Sequence, residues 1–157
     1  MTDSTTAGGV REVPQPRGEV WRALAVLEPY CAVCDVSYVV GNGKIGKGTQ
    51  FVCAPGHLDG AEAPAGAPRG EILAWEPRRT VATRLVLTTE TWTTRIELAD
   101  ADGGGTRVTM TVALEADGSN RLVRRITRSA AQSMVQQTVD AELDKVPAHL
   151  EQAAATG

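Results

Sequence analysis

Hydrophobic positions alternate with polar ones through the middle of the chain, then shift to a spacing of three and four towards its end. In CDVSYVV (34–40), Val36, Tyr38 and Val40 alternate with Asp35, Ser37 and Val39. The glycine-rich GNGKIGKG predicts a turn, and GTQFVCA the returning strand of a hairpin. RGEILAWE, TVATRLVL, TETWTTRIELA and TRVTMTVALE follow, divided by Pro77 to Arg79 and by the turn signal DADGGG. In the last of them Val108, Met110, Val112 and Leu114 alternate with Arg107, Thr109, Thr111 and Ala113, so one face is buried. Nothing helical separates these strands, which predicts an antiparallel sheet.

The flanks read differently. Residues 1–9 are rich in Thr, Ser, Gly and Ala and are expected to fray, with VREV (10–13) as a short edge strand. Val20, Trp21, Leu24 and Leu27 have helical spacing behind Pro16; Pro29 ends that helix, and Tyr30 to Val33 are expected to form a second short one. The long segment 54–68, APGHLDGAEAPAGAP, has no apolar period and predicts a loop. After the capping cluster Asp117-Gly118-Ser119-Asn120, a helix is predicted over roughly residues 119–152. Leu122, Ile126, Ala130, Met134, Val139, Leu143, Val146 and Leu150 form its stripe, and Pro147 should kink it.

Composition changes this picture in three ways. Six aromatic residues in 157 leave an interior that Val, Leu, Ile and Ala must fill, or that stays partly hollow. A net charge of −3 supplies no field to attract a polyanion, so nucleic acid is not an expected partner. No apolar run approaches a membrane span and the first residues have no signal-like apolar stretch, so a cytoplasmic protein is expected. Three cysteines, Cys31, Cys34 and Cys53, are poor material for a disulfide framework and agree with that compartment.

The order of elements, carried by GEVWRAL (18–24), GKGTQF (46–51), GEILAWEPRRTV (70–81), GGGTRVTMTVAL (103–114) and ELDKVPAHLEQA (142–153), resembles the helix-grip fold of the SRPBCC superfamily. That superfamily includes START-like lipid carriers and bacterial polyketide cyclases. The resemblance implies an α+β domain over residues 10–153. Six or seven curved antiparallel strands would wrap a long C-terminal helix, with two short helices after the first strand. It also implies an apolar cavity and a hydrophobic small-molecule ligand, with no cofactor; a homodimer is left open.

Residues that could carry chemistry each have a plainer reading. Glu90, Trp92, Thr94 and Ile96 share a strand face; if Trp92 points inward, Glu90 is a candidate general acid or base, and otherwise it reaches solvent at the rim. His57, in the long loop expected at the cavity mouth, is the one histidine that could act as an acid or base, and otherwise it is solvated; His149 falls on a polar flank of the helix. Arg84 could orient an anionic ligand or pair with Glu90, although an ordinary cross-strand ion pair accounts for it as well. Arg121, Arg124, Arg125 and Arg128 oppose the dipole at the helix start, which suits an anionic partner or a solvated face paired with Asp100, Asp102 or Asp117. The CAVC pair Cys31 and Cys34 lacks a thioredoxin-like context, and a zinc site would need two more ligands from Cys53, His57 and His149. Small buried thiols, reduced and metal-free, are the expectation.

The expected cavity is lined by Tyr38, Arg84, Glu90, Trp92, Ile96, Met110 and Met134, with Val108 and Val112 beside them and Met134 facing them from the helix. Three functions fit: a carrier of a hydrophobic molecule, a cyclase, aromatase or dehydratase acting on a polyketide-like substrate, and a partner-binding accessory module.

Overall fold

A computed structural model describes residues 3–116 and 121–156. Seven antiparallel strands form one sheet: β1 (Asp3–Val13), β2 (Val36–Val40), β3 (Gln50–Pro55), β4 (Arg69–Glu76), β5 (Thr80–Val86), β6 (Glu90–Asp100) and β7 (Thr106–Ala116). Their order is β1-β7-β6-β5-β4-β3-β2, a meander whose last strand is flanked by the first. A register shift between Ile72 and Ala74 bends β4, as an inserted residue does in a ladder.

The first strand corrects the expectation of a frayed start. Asp3 to Val13 pair with Ala116 to Thr106, position by position, so most of residues 1–9 belong to the sheet. Backbone pairing to a long partner strand holds this stretch despite its small side chains. Ala7, Gly9 and Val13 share its inner face. A Cβ on Gly9 would lie 2.7 Å from Leu143 Cδ1 and 3.2 Å from Val139 Cγ1, so the missing side chain is what lets the long helix approach.

Helix α1 (Arg17–Leu24) follows Pro16 and buries Val20. The second short helix does not form. Cys31 bridges to Val36 and residues between them make a turn, with Asp35 at φ 53°. Pro29 cannot donate a helical hydrogen bond, and the Ala32 and Val33 N–H groups donate instead to Gln152 Oε1, at 3.1 and 3.3 Å.

The C-terminal helix is divided into α2 (Arg121–Asp144) and α3 (Val146–Thr156). Pro147 has no N–H for the carbonyl one turn earlier, so the helix breaks at Lys145 and restarts with the proline in its first turn. The expected capping cluster at 117–120, and the side chains of Arg121, Leu122, Arg124, Arg125 and Ile126, lie outside the described residues; Arg128 is exposed.

Val135, Val139 and Leu143 of α2, with Val146 and Leu150 of α3, pack on Ala7, Val13, Val108, Met110, Val112 and Leu114. The helix therefore covers β1 and β7 and sits to one side of the sheet. The long helix is not pressed onto the inner face of β2 to β6, which meets the short α1 at β6, and that offset makes the cavity.

Candidate functional site

The cavity has a volume of about 550 Å³. Its sheet wall is built by residues of one parity: Val81, Thr83 and Leu85 of β5, Trp92, Thr94 and Ile96 of β6, and Met110 and Val112 of β7. Tyr38, Phe51, Cys53 and Ile72 continue it on β2 to β4, and Val26 and Glu28, both exposed, mark the rim. Phe51 lies across the strand pair on Gly70, whose Cβ would run into the ring, and meets Tyr38 edge-on at 5.8 Å between ring centres.

Polar groups enter at two places. Thr83 and Thr94 are directly paired across β5 and β6, in the middle of an otherwise apolar wall. Opposite, Thr138, Glu142, Lys145, His149 and Gln152 come from α2 and α3, and Cys31 and Cys34 from the turn before β2. Lys145 Nζ donates to Glu142 Oε1 at 3.0 Å. His149 lies between the two thiols, with Nε2 3.6 Å from Cys34 Sγ and Nδ1 3.9 Å from Cys31 Sγ. Gln152 Nε2 is 3.8 Å from Cys31 Sγ.

Burial sets the protonation of this end. It pushes the Cys34 thiol up to about 12, assisted by the negative charge of Glu142. It holds the His149 imidazole below its ordinary value, with Glu142 pulling the other way. The Tyr38 hydroxyl is raised above its ordinary value for the same reason. Lys145 is raised by its bond to Glu142, and burial opposes that.

Of the residues expected to line the cavity, the structure brings together Tyr38, Trp92, Ile96, Met110 and Val112. Arg84 is corrected: Val81, Thr83 and Leu85 face inward, so Arg84 points out, 2.8 Å from Glu71 Oε2 rather than to Glu90. Glu90 stands at the first position of β6 and accepts a hydrogen bond from Trp92 Nε1 at 3.0 Å; it is absent from the cavity lining. Met134 does not face the sheet. It is 42% exposed, one position before the buried Val135, on a flank of α2 turned away from the core. Val108 is fully buried in the core under α2, and no surface of it reaches the cavity.

His57 is exposed and stacks on Tyr30 with ring centres 4.3 Å apart, outside the cavity. Its loop is held down by Ser37 Oγ, which donates to the Gly56 carbonyl and accepts from Leu58 N–H. Sequence reasoning missed Glu142 and Lys145, and named His149 only as a possible zinc ligand on a polar flank. Their signal was present: Thr138, Glu142, Lys145, His149 and Gln152 recur at steps of four and three, a polar helical stripe beside the apolar one.

Comparison with known proteins agrees with this architecture. A family model described as polyketide cyclase / dehydrase and lipid transport matches residues 9–151. No curated protein matches the sequence. Among solved structures, Ara h 8.0201 aligns with a TM-score of 0.66 at 18% identity, covering 99% of this chain and 100% of that one. A protein of unknown function from Staphylococcus aureus aligns at 0.74 with 10% identity, over 98% of both chains. The ZhuI aromatase/cyclase from Streptomyces sp. R1128 aligns at 0.66 with 15% identity, over 97% of this chain and 94% of that one. These identities show the fold alone. No described helix is long and apolar enough to cross a membrane. With the family model spanning nearly every element from β1 to α3, the chain belongs to the polyketide cyclase / dehydrase and lipid transport family, on the helix-grip fold of the SRPBCC superfamily.

Proposed function

We propose that this protein binds a hydrophobic, ring-containing small molecule in its cavity. The observation that carries this reading is the offset helix. It leaves about 550 Å³ lined mainly by Leu, Ile, Val, Met and aromatic side chains, with polar groups at a threonine pair, Tyr38, Glu28 on the rim and one end. Binding sites for small organic molecules have volumes of roughly 300–1,000 Å³ and this distribution of polarity. Titration with 8-anilino-1-naphthalenesulfonate is expected to quench Trp92 emission and raise the melting temperature, because a ligand of the folded state alone stabilises it. The quenching should vanish in Trp92→Phe, since Trp21 and Trp75 pair with each other, at 4.9 Å between ring centres, away from the lining. Unchanged emission and melting temperature at saturating probe would refute the reading.

Among the described residues nothing hydrogen-bonds the Tyr38 hydroxyl, which stands ready to donate to a ligand oxygen. Tyr38→Phe is expected to weaken a phenolic or carbonyl-bearing ligand about tenfold, the worth of one neutral hydrogen bond, and to leave a pure hydrocarbon such as phenanthrene unaffected. Equal losses for both ligands would assign Tyr38 a packing role only.

One observation favours a second reading, cyclase or dehydratase chemistry on a polyketide-like substrate. His149, kept neutral by burial and flanked by Glu142 and Lys145, offers a proton acceptor on the cavity wall.

A further inference from the structure

We propose that Cys34, Glu142 and His149 form a binding site for one soft divalent cation, zinc by preference, on the wall of the cavity. The inference concerns the protein's own residues and stands whether or not the cavity's ligand is identified.

The fold supplies the donors from distant parts of the chain. Glu142 and His149 lie seven residues apart on either side of the helix break, and Cys34 comes from the turn before β2. One ligand atom from each lies within 4.8 Å of the others. Zinc holds sulfur at about 2.3 Å and imidazole nitrogen at about 2.0–2.1 Å, so tetrahedral S and N ligands stand roughly 3.5–3.6 Å apart. Cys34 Sγ and His149 Nε2 are 3.6 Å apart. These two donors therefore already have the spacing of a bound cation, and the Glu142 carboxylate, with an oxygen within 4.8 Å of both, supplies the third ligand.

Cys31 has a different place. Its sulfur lies 3.9 Å from Nδ1, and it falls outside the three residues whose ligand atoms all lie within 4.8 Å of one another. A proton on Nδ1, directed at Cys31, leaves the Nε2 lone pair facing Cys34. Outer partners of this kind fix the tautomer of metal-ligating histidines. Gln152 supports the arrangement, since its Oε1 binds the Ala32 and Val33 amides while its Nε2 approaches Cys31. Cys31 and Gln152 are positioning residues in this account, and the fourth coordination position faces the cavity.

Thiolate and imidazole together select zinc or cobalt over calcium or magnesium. Binding expels the Cys34 thiol proton to solvent, and the cation replaces Lys145 as the partner of Glu142. His149 cannot be a ligand and a free base at once, so the site and the second reading above exclude each other in the loaded protein.

The test is titration of the full chain with Co(II) and Zn(II), followed by absorption spectroscopy and native mass spectrometry. One metal per chain is expected, with the spectrum of four-coordinate cobalt and a single thiolate-to-cobalt charge-transfer band. Loss of an outer partner costs about 10–100-fold in affinity, so Cys31→Ala should weaken binding about tenfold, and Cys34→Ser or His149→Gln by more. Lys145→Met should tighten it several-fold, and Cys53→Ser should leave it unchanged. Each variant's melting temperature establishes that it is folded. No cobalt spectrum in the wild-type chain, binding that survives Cys34→Ser, or binding that survives His149→Gln would each overturn the site. A band of two-thiolate intensity lost equally in Cys31→Ala and Cys34→Ser would overturn this donor set.

Discussion

Replacing Gly9 by valine is expected to lower the unfolding free energy by about 3 kcal/mol, the upper part of the range for forcing extra carbons into a packed core. Two effects oppose each other at this position. Valine suits a strand better than glycine, by up to about 1 kcal/mol. Against that, its Cβ would stand 2.7 Å from Leu143 and 3.2 Å from Val139, and both side chains are buried. Leu143 and Val139 are both part of the buried core, so the steric term is expected to win. For a chain of this length the loss corresponds to a fall of roughly 6–12 °C in melting temperature. The mechanism is checked by a double-mutant cycle. In a Leu143→Ala background, itself destabilised, Gly9→Val should cost much less, because the truncated side chain vacates the space. Strictly additive losses would show that Gly9 is required for some other reason.

Thr94→Phe is expected to weaken 8-anilino-1-naphthalenesulfonate binding by about 100-fold or more while leaving the protein folded. Thr94 stands midway along the inner face of β6, between Trp92 and Ile96 and opposite Thr83. A benzyl group there enters existing space, so the fold has no reason to lose stability. A ligand in the same space must then be displaced or repacked, at a cost of a few kcal/mol. Each 1.4 kcal/mol is about tenfold in affinity. Wild-type affinity in a folded Thr94→Phe protein would place the probe elsewhere and remove the cavity from the account.

Much of the sheet was legible because its pairings are local. Each of β5 to β7 follows its neighbour through a short turn, and alternation alone marks their extent. Of the first strand only VREV was legible, because its partner β7 lies about a hundred residues away and residues 3–9 are small or polar, without a bulky apolar side chain. Alternation also predicts that Arg84 and Leu85 face opposite ways, but not which way is in. Only the position of the helix decides that, and it turned Arg84 outward. Met134 shows the same limit on a helix, where one position separates the fully buried Val135 from a side chain in solvent. The second short helix failed for a tertiary reason, since the Ala32 and Val33 amides are taken by a glutamine from α3. For the cysteine pair the sequence offered Cys53, His57 and His149 as further ligands without choosing among them and carried no sign of Glu142, because only the fold decides which side chains meet the turn.

That glutamine has a consequence for the order of events during synthesis. Gln152 lies 121 residues from Cys31, and its side chain joins the turn at 31–34 to α3. A nascent chain still held in the ribosome at α2 has every strand of the sheet but lacks His149 and Gln152. The sheet and its apolar wall can thus assemble first, and the polar end of the cavity closes only after α3 has been released.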